Sequence, residues 1–197
     1  LNPAEFRTQI EALSPDGIIS TDAEFSERAA RLFPDLLVQP DMTTREREPE
    51  HFWSLHDLRA MIFSSGTGGQ PKIVPLSTSQ LLFGALGSAL RLDHHHSDCW
   101  LCCLPLHHIG GLSILYRCVW YGIPVLLHPD FSPARVCSDL DSGKISHISL
   151  VPTMLQRLLE HRVRNIPEGG DGSFPRRLRV VLLGGASASI PLLNEAQ

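Results

Sequence analysis

An α/β fold, built on a parallel-rich sheet flanked by helices, is what this sequence predicts, and three observations predict it. From residue 60 onward, short continuous apolar runs alternate with stretches of helical periodicity. The runs are apolar at consecutive positions, as strands covered on both faces are. Helix-starting and chain-turning residues such as Ser132-Pro133 and Gly184-Gly185 fall between them. A chain of 197 residues, 43% hydrophobic and 19% charged, has the composition of a globular protein with one core, or one core plus a small appendage.

Residues 3–13 read as a short amphipathic helix stopped by Ser14-Pro15-Asp16-Gly17, and a second helix runs from Asp22 or Ala23 to Phe33, before Pro34. Residues 39–50 are polar and charged, with prolines at 40 and 49, and read as a linker. The expected division is therefore an N-terminal helical segment and linker over 1–59, then an α/β subdomain over 60–197. Ala60 to Phe63 is the end of a buried strand. Ser77 or Thr78 caps a helix reaching Leu90, with Leu81, Leu82, Ala85 and Ala89 on one side. Trp100 to Leu104 is a strand, Gly111 to Trp120 a helix, and Ile123 to Leu127 a strand. Ser132-Pro133 opens a helix to about Leu140. His147 to Val151 is a strand, Pro152 to Arg162 a helix, Arg179 to Leu183 a strand, and a last helix begins near Ile190.

The strongest functional signal is Phe63-Ser64-Ser65-Gly66-Thr67-Gly68-Gly69-Gln70-Pro71-Lys72-Ile73-Val74. Its glycines let backbone N–H groups converge. Ser64, Ser65 and Thr67 add hydroxyl donors, and Lys72 adds a positive charge. Such a loop, rich in donors and free of carboxylates, suits a polyphosphate. The chain has two lysines, Lys72 and Lys144, against fifteen arginines, so the lysine is not compositional noise. No register fits the Walker pattern. This loop, the segment from Leu104 to Gly111, and Gly184 to Ser187 each follow an expected strand. All three are therefore expected on the carboxyl edge of one sheet, where α/β proteins bind ligands.

Charge and cysteine content narrow the partners. The formal net charge of −4 argues against nucleic acid. Residues 1–62 hold 12 acidic and 6 basic side chains, a balance of −6, and residues 63–197 hold 9 and 11, a balance of +2. The loop-bearing part is the one an anionic nucleotide prefers. No apolar run approaches the roughly 18 residues that cross a bilayer. Five cysteines without a secretory signal imply a reducing, cytoplasmic setting with free thiols. His94-His95-His96 reads as a solvated turn, because adjacent imidazoles point apart. Cys99-x-x-Cys102-Cys103 lies in a strand without a second pair and reads as buried thiols; no metal site is expected.

The order hydroxyl-hydroxyl-Gly-Thr-x-Gly-x-Pro-Lys resembles the phosphate loop of the adenylate-forming superfamily, which includes acyl-CoA synthetases, luciferases and peptide-synthetase adenylation domains. Gly68 stands where that family has Ser or Thr, Gln70 where Lys is common, and Ile73 where Gly is usual. Leu104-Pro105-Leu106-His107-His108 is similar to the family's Leu-Pro-Leu-Phe-His. The later runs Tyr116-Arg117, Trp120-Tyr121-Gly122, Ser149-Leu150-Val151-Pro152-Thr153-Met154-Leu155 and Leu182-Leu183-Gly184-Gly185-Ala186 are similar to o-succinylbenzoate–CoA ligases of menaquinone biosynthesis.

That resemblance implies part of the large N-terminal domain of an AMP-forming acid–thiol ligase. Residues 60–197 would be its AMP-binding subdomain, and the chain a fragment inactive alone, lacking the C-terminal parts. It implies ATP, Mg2+ with its ligand beyond Gln197, and coenzyme A as co-substrate. The nucleotide would meet Ser64, Ser65, Gly66, Thr67, Gly68, Gly69 and Lys72 at its phosphates, and Gly184, Gly185 and Ala186 at its adenine. Lys72 and His108 would act in catalysis. His108, Gly111, Arg117 and Thr153 would line the acid site, Arg117 meeting a second carboxylate. From the residues alone, Arg117 reads equally as a snorkelling edge residue, and Thr153 reads as a helix cap ahead of a site residue. A carrier-protein-loading adenylation domain, another aryl or fatty acyl-CoA ligase, and a non-catalytic scaffold remain open, as does a homo-oligomer.

Overall fold

The computed structural model describes residues 54–64, 72–166 and 172–196, together with Arg7, Glu11, Glu27 and Arg31. The chain divides into two compact units, Leu1–His51 and Phe52–Gln197. In the first, Arg7 and Glu11 are helical and form an i,i+4 ion pair at 3.7 Å, and Glu27 and Arg31 form another at 3.6 Å. The linker expected over 39–50 lies outside the described residues.

The second unit begins with a hairpin. Strand β1 (Leu58–Ser64) pairs antiparallel with β2 (Lys72–Ser77), from Leu58 opposite Ser77 to Ser64 opposite Lys72. The glycine-rich run therefore connects two antiparallel strands of a separate sheet. The strand before it, expected in the parallel sheet, is corrected to this hairpin, while residues 65–71 lie outside the described residues. Pro75 explains why β2 is not evident from sequence: proline lacks a ladder donor and argues against a central strand. It is tolerated because, among the described residues, β2 pairs on one side only.

Helix α1 (Thr78–Leu92) follows at once, fixed by a capping box. Ser77 Oγ accepts from the Gln80 N–H, and Gln80 Oε1 accepts from the Ser77 N–H at 2.8 Å. Four parallel strands then form the main sheet: β3 (Trp100–Cys102), β4 (Val125–Leu127), β5 (His147–Leu150) and β6 (Val180–Leu183), in the order β4-β3-β5-β6. Helices α2 (Ile109–Tyr121), α3 (Pro133–Asp141), α4 (Pro152–Arg164) and α5 (Ile190–Glu195) alternate with them or follow them. Ser132 and Ser189 cap α3 and α5 with their hydroxyls and place proline in the first turn.

Alternation along β3 divides the core. Leu101 and Cys103 join Val136, Leu140, Ile148, Leu155 and Leu158, under α3 and α4. Trp100 and Cys102 join Ala85, Ile114, Cys118 and Tyr121, under α1 and α2. The Tyr121 hydroxyl donates to the Ala85 carbonyl at 2.6 Å and locks α2 to α1. Cys99 packs with the first cluster and Cys102 with the second, as strand alternation requires. All five thiols are free, and burial pushes those of Cys103 and Cys118 up to about 12.

A polar staple closes the amino edge of the sheet. Asp98, fully buried before β3, takes a 2.5 Å ion pair from Arg179 before β6 and a 2.7 Å bond from the His95 N–H. Burial raises the Asp98 carboxyl, but the His95 amide, Ser146, His147 and Arg179 outweigh it and hold the group below its ordinary value. Burial keeps His147 below its ordinary value too. His94 stacks on Tyr121 with ring centroids 4.3 Å apart, so the histidine run begins in a packing contact. Among the described residues, no three His, Cys, Asp or Glu side chains gather as a metal site, and no helix is long and apolar enough to cross a membrane.

Candidate functional site

The strand order sets where a ligand can sit. From β3 the chain moves to one side, through α2 to β4, then crosses over to β5 and β6 on the other. The carboxyl ends of β3 and β5 therefore flank a topological switch point, where a crevice opens between diverging connections. A cavity of about 900 Å³ lies there. Its floor is Leu104-Pro105 after β3, Ser149 to Val151 at the end of β5, and Leu182 to Gly185 at the end of β6. Gln80, Leu81, Gly84 and Ala85 of α1 form one wall. The start and middle of α2 form another, from His108 to Arg117, with Leu76 of β2 at the rim.

Glycine at the start of α2 is a packing requirement. A Cβ on Gly111 would lie 2.4 Å from the Pro105 carbonyl oxygen and 2.7 Å from that of Leu104. Main chain meets main chain, so no side-chain movement can relieve the clash. This close approach swings His108, the residue before the helix, onto the cavity wall, its ring 4.3 Å from that of His107. Burial, followed by the charge of His108, lowers the pKa of His107. Gly185 adopts φ +79°, a left-handed conformation that strains any other residue, and its place beside Val151 leaves little room for a Cβ. Gly184 donates its N–H to the Leu150 carbonyl and faces open space.

Arg117 supplies the charge. Among the described lining residues there is no carboxylate, and Arg117 is the one permanently charged side chain. Its Nε is buried without a hydrogen-bond partner among the described residues, and its guanidinium carbon lies 5.6 Å from the centroid of Trp100. Burial pulls its pKa down, while Tyr121 and Cys118 push it back up. A snorkelling arginine carries its head to water. Arg117 is half-buried on the cavity wall, its Nε without a hydrogen-bond partner among the described residues, and an anionic group in the cavity would give its guanidinium a charge partner.

Of the residues singled out in the sequence, the cavity gathers His108, Gly111, Arg117, Gly184 and Gly185. Ala186 and Thr153 are not among its lining residues. Thr153 is exposed in the first turn of α4, whose cap is Val151 without a side-chain bond, so the expected capping role of Thr153 is corrected. Ser64 and Lys72 face each other across the hairpin, where the Ser64 hydroxyl donates to the Lys72 carbonyl at 3.3 Å. Neither lines the cavity: Lys72 opens β2 and Leu76 lies about 13 Å further along an extended strand. Ser65, Gly66, Thr67, Gly68 and Gly69 lie outside the described residues. Sequence reasoning missed Gln80, Tyr116 and Ser149. Ser149 carried a signal, a lone hydroxyl near the carboxyl end of an apolar strand.

The model of the AMP-binding enzyme family matches residues 5–197. A 2-succinylbenzoate–CoA ligase of Listeria monocytogenes is 40% identical over 153 residues, 77% of this chain and 31% of the relative. One of Bacillus velezensis is 40% identical over 150 residues, 76% of this chain and 29% of the relative. The chain thus spans about a third of the length of these relatives. In structure, it resembles the o-succinylbenzoate coenzyme A synthetase of Bacillus subtilis in complex with ATP and magnesium ion. The TM-score is 0.82 and identity 32%, over 99% of this chain and 40% of that one. The same enzyme in complex with its acyl-adenylate intermediate gives 0.81 and 32%, over 99% and 39%.

Proposed function

Since the chain belongs to the AMP-binding enzyme family, we propose that it forms the acid- and nucleotide-binding part of an AMP-forming acid–thiol ligase acting on 2-succinylbenzoate. The carboxylate attacks the α-phosphorus of ATP and pyrophosphate leaves. The thiol of coenzyme A then displaces AMP from the acyl group and loses its proton, leaving a thioester. The observation that carries this reading is Arg117 on the wall of a cavity that has no carboxylate among its described lining residues.

The acyl body packs against the apolar wall from Leu81 to Ala85 and Leu104, with its distal carboxylate on Arg117. The reacting carboxylate lies toward His108, whose imidazole donates to it without adding a permanent charge. Gly184, Gly185 and Ala186 take the adenine side, the first two because their bare backbones admit a flat ring. The run from Ser64 to Lys72 takes the phosphates, its amides and lysine offsetting the charge that develops as pyrophosphate leaves. Mg2+ would supply further neutralisation of the phosphates, and since the described lining residues include no carboxylate, none of them is assigned to hold it. The proposed partners are small molecules, and the free thiols favour the cytoplasm.

ATP–pyrophosphate exchange by the full-length protein, across a panel of aryl and alkyl acids, tests the assignment. Aryl dicarboxylic acids, 2-succinylbenzoate foremost, are expected to support the fastest exchange. Fastest exchange with an amino acid or a long-chain fatty acid would refute it.

A further inference from the structure

We propose that Trp100 is the positioning residue for acid selection, holding Arg117 over its ring face and Ser149 through its indole N–H so that both polar groups converge on the distal carboxylate. This rests on the reading of the cavity as an acid site and adds the element that aims it. Trp100 is fully buried on β3, the strand at the switch point, and touches no ligand space itself. Its ring nevertheless contacts two lining residues that come from different elements, α2 and β5.

The first contact is with Arg117, 5.6 Å from the ring centroid, within the range of a cation–π interaction. The guanidinium pays for burial with no carboxylate nearby, and the electron-rich ring face is the partner that holds it without neutralising it. A carboxylate in that place would satisfy Arg117 and close the site to an anion. An aromatic face holds the guanidinium and leaves its charge uncompensated on the cavity wall.

The second contact is the 3.0 Å hydrogen bond from Trp100 Nε1 to Ser149 Oγ. A serine hydroxyl has one proton and two lone pairs. The indole N–H occupies a lone pair, and among the described residues the Ser149 O–H has no acceptor of its own. Its proton is thereby left for a group in the cavity that Ser149 lines. On the strand beside it, the His147 ring packs 5.0 Å from Trp100, and burial keeps that imidazole below its ordinary pKa. The tryptophan therefore carries one cation against its ring and is boxed in place.

The test compares ATP–pyrophosphate exchange in the full-length protein for 2-succinylbenzoate and for its analogue lacking the distal carboxylate, read as the ratio of the two kcat/KM values. Trp100→Leu removes both arms and is expected to lower that ratio about tenfold or more, as loss of a buried cation–π contact and a hydrogen bond implies. Trp100→Phe keeps a ring face without the N–H, and should lower the ratio by about threefold. In a Ser149→Ala background, Trp100→Phe should lower it no further, because the N–H acts through that hydroxyl. If Trp100→Leu does not fold, Trp100→Phe and the double variant carry the test. Equal losses for both acids, or independent losses in the double variant, would reduce Trp100 to a core residue. A wild-type protein that shows no preference for the dicarboxylic acid would instead overturn the reading of the cavity itself.

Discussion

Arg117→Ala in the full-length protein is expected to cost about 2–5 kcal/mol in kcat/KM for 2-succinylbenzoate, the range for removing one partner of a desolvated charge pair. The analogue without the distal carboxylate should lose far less. The difference follows from where the charge sits. Arg117 is half-buried on the cavity wall, its Nε is cut off from water with no hydrogen-bond partner among the described residues, and its guanidinium rests on a ring face. A carboxylate arriving beside it supplies the missing acceptor. With alanine there, the same carboxylate must give up water and receive only a single serine hydroxyl. Arg117→Lys should fall between, since an ammonium keeps the charge and loses the planar fork. Equal penalties for both acids would return Arg117 to a packing role.

Lys72→Ala is expected to slow adenylation by roughly 2–4 kcal/mol of transition-state stabilisation, with little change in discrimination between acids. The residue opens β2, opposite Ser64, and is exposed. Among the described residues no carboxylate pairs with it, so its charge is uncommitted. The hairpin fixes where the backbone of Lys72 lies, because the ladder from Leu58–Ser77 to Ser64–Lys72 runs the length of both strands. Single-turnover formation of acyl-adenylate by the Lys72→Ala protein measures the effect. An unchanged rate would remove Lys72 from the chemistry.

The two predictions separate the parts of the site that sequence made legible from those it did not. The parallel sheet was legible because its strands are apolar runs ending at a proline or glycine break: Leu104-Pro105 after β3, Gly184-Gly185 after β6. Those breaks line the cavity. The hairpin was not, since Pro75 argues against a strand wherever its neighbours are unknown. Helix α2 begins at Ile109, two residues before the expected start, because Gly110-Gly111 reads as a turn. The structure shows that Gly111 is inside the helix because two carbonyls leave no space for a side chain. Contacts between distant residues were beyond any local pattern. Asp98 and Arg179, 81 residues apart, and Trp100 and Ser149, 49 apart, meet only once the strand order is known. For the same reason sequence left Arg117 divided between two roles, and its place on the cavity wall is what favours one of them.

A crystal structure of the full-length protein with 2-succinylbenzoate is the most direct measurement. The account predicts the distal carboxylate within hydrogen-bond distance of the Arg117 guanidinium and Ser149 Oγ, and the reacting carboxylate facing His108. An acid bound outside the crevice between β3 and β5, or one inside it that leaves Arg117 without an anionic partner, would contradict it.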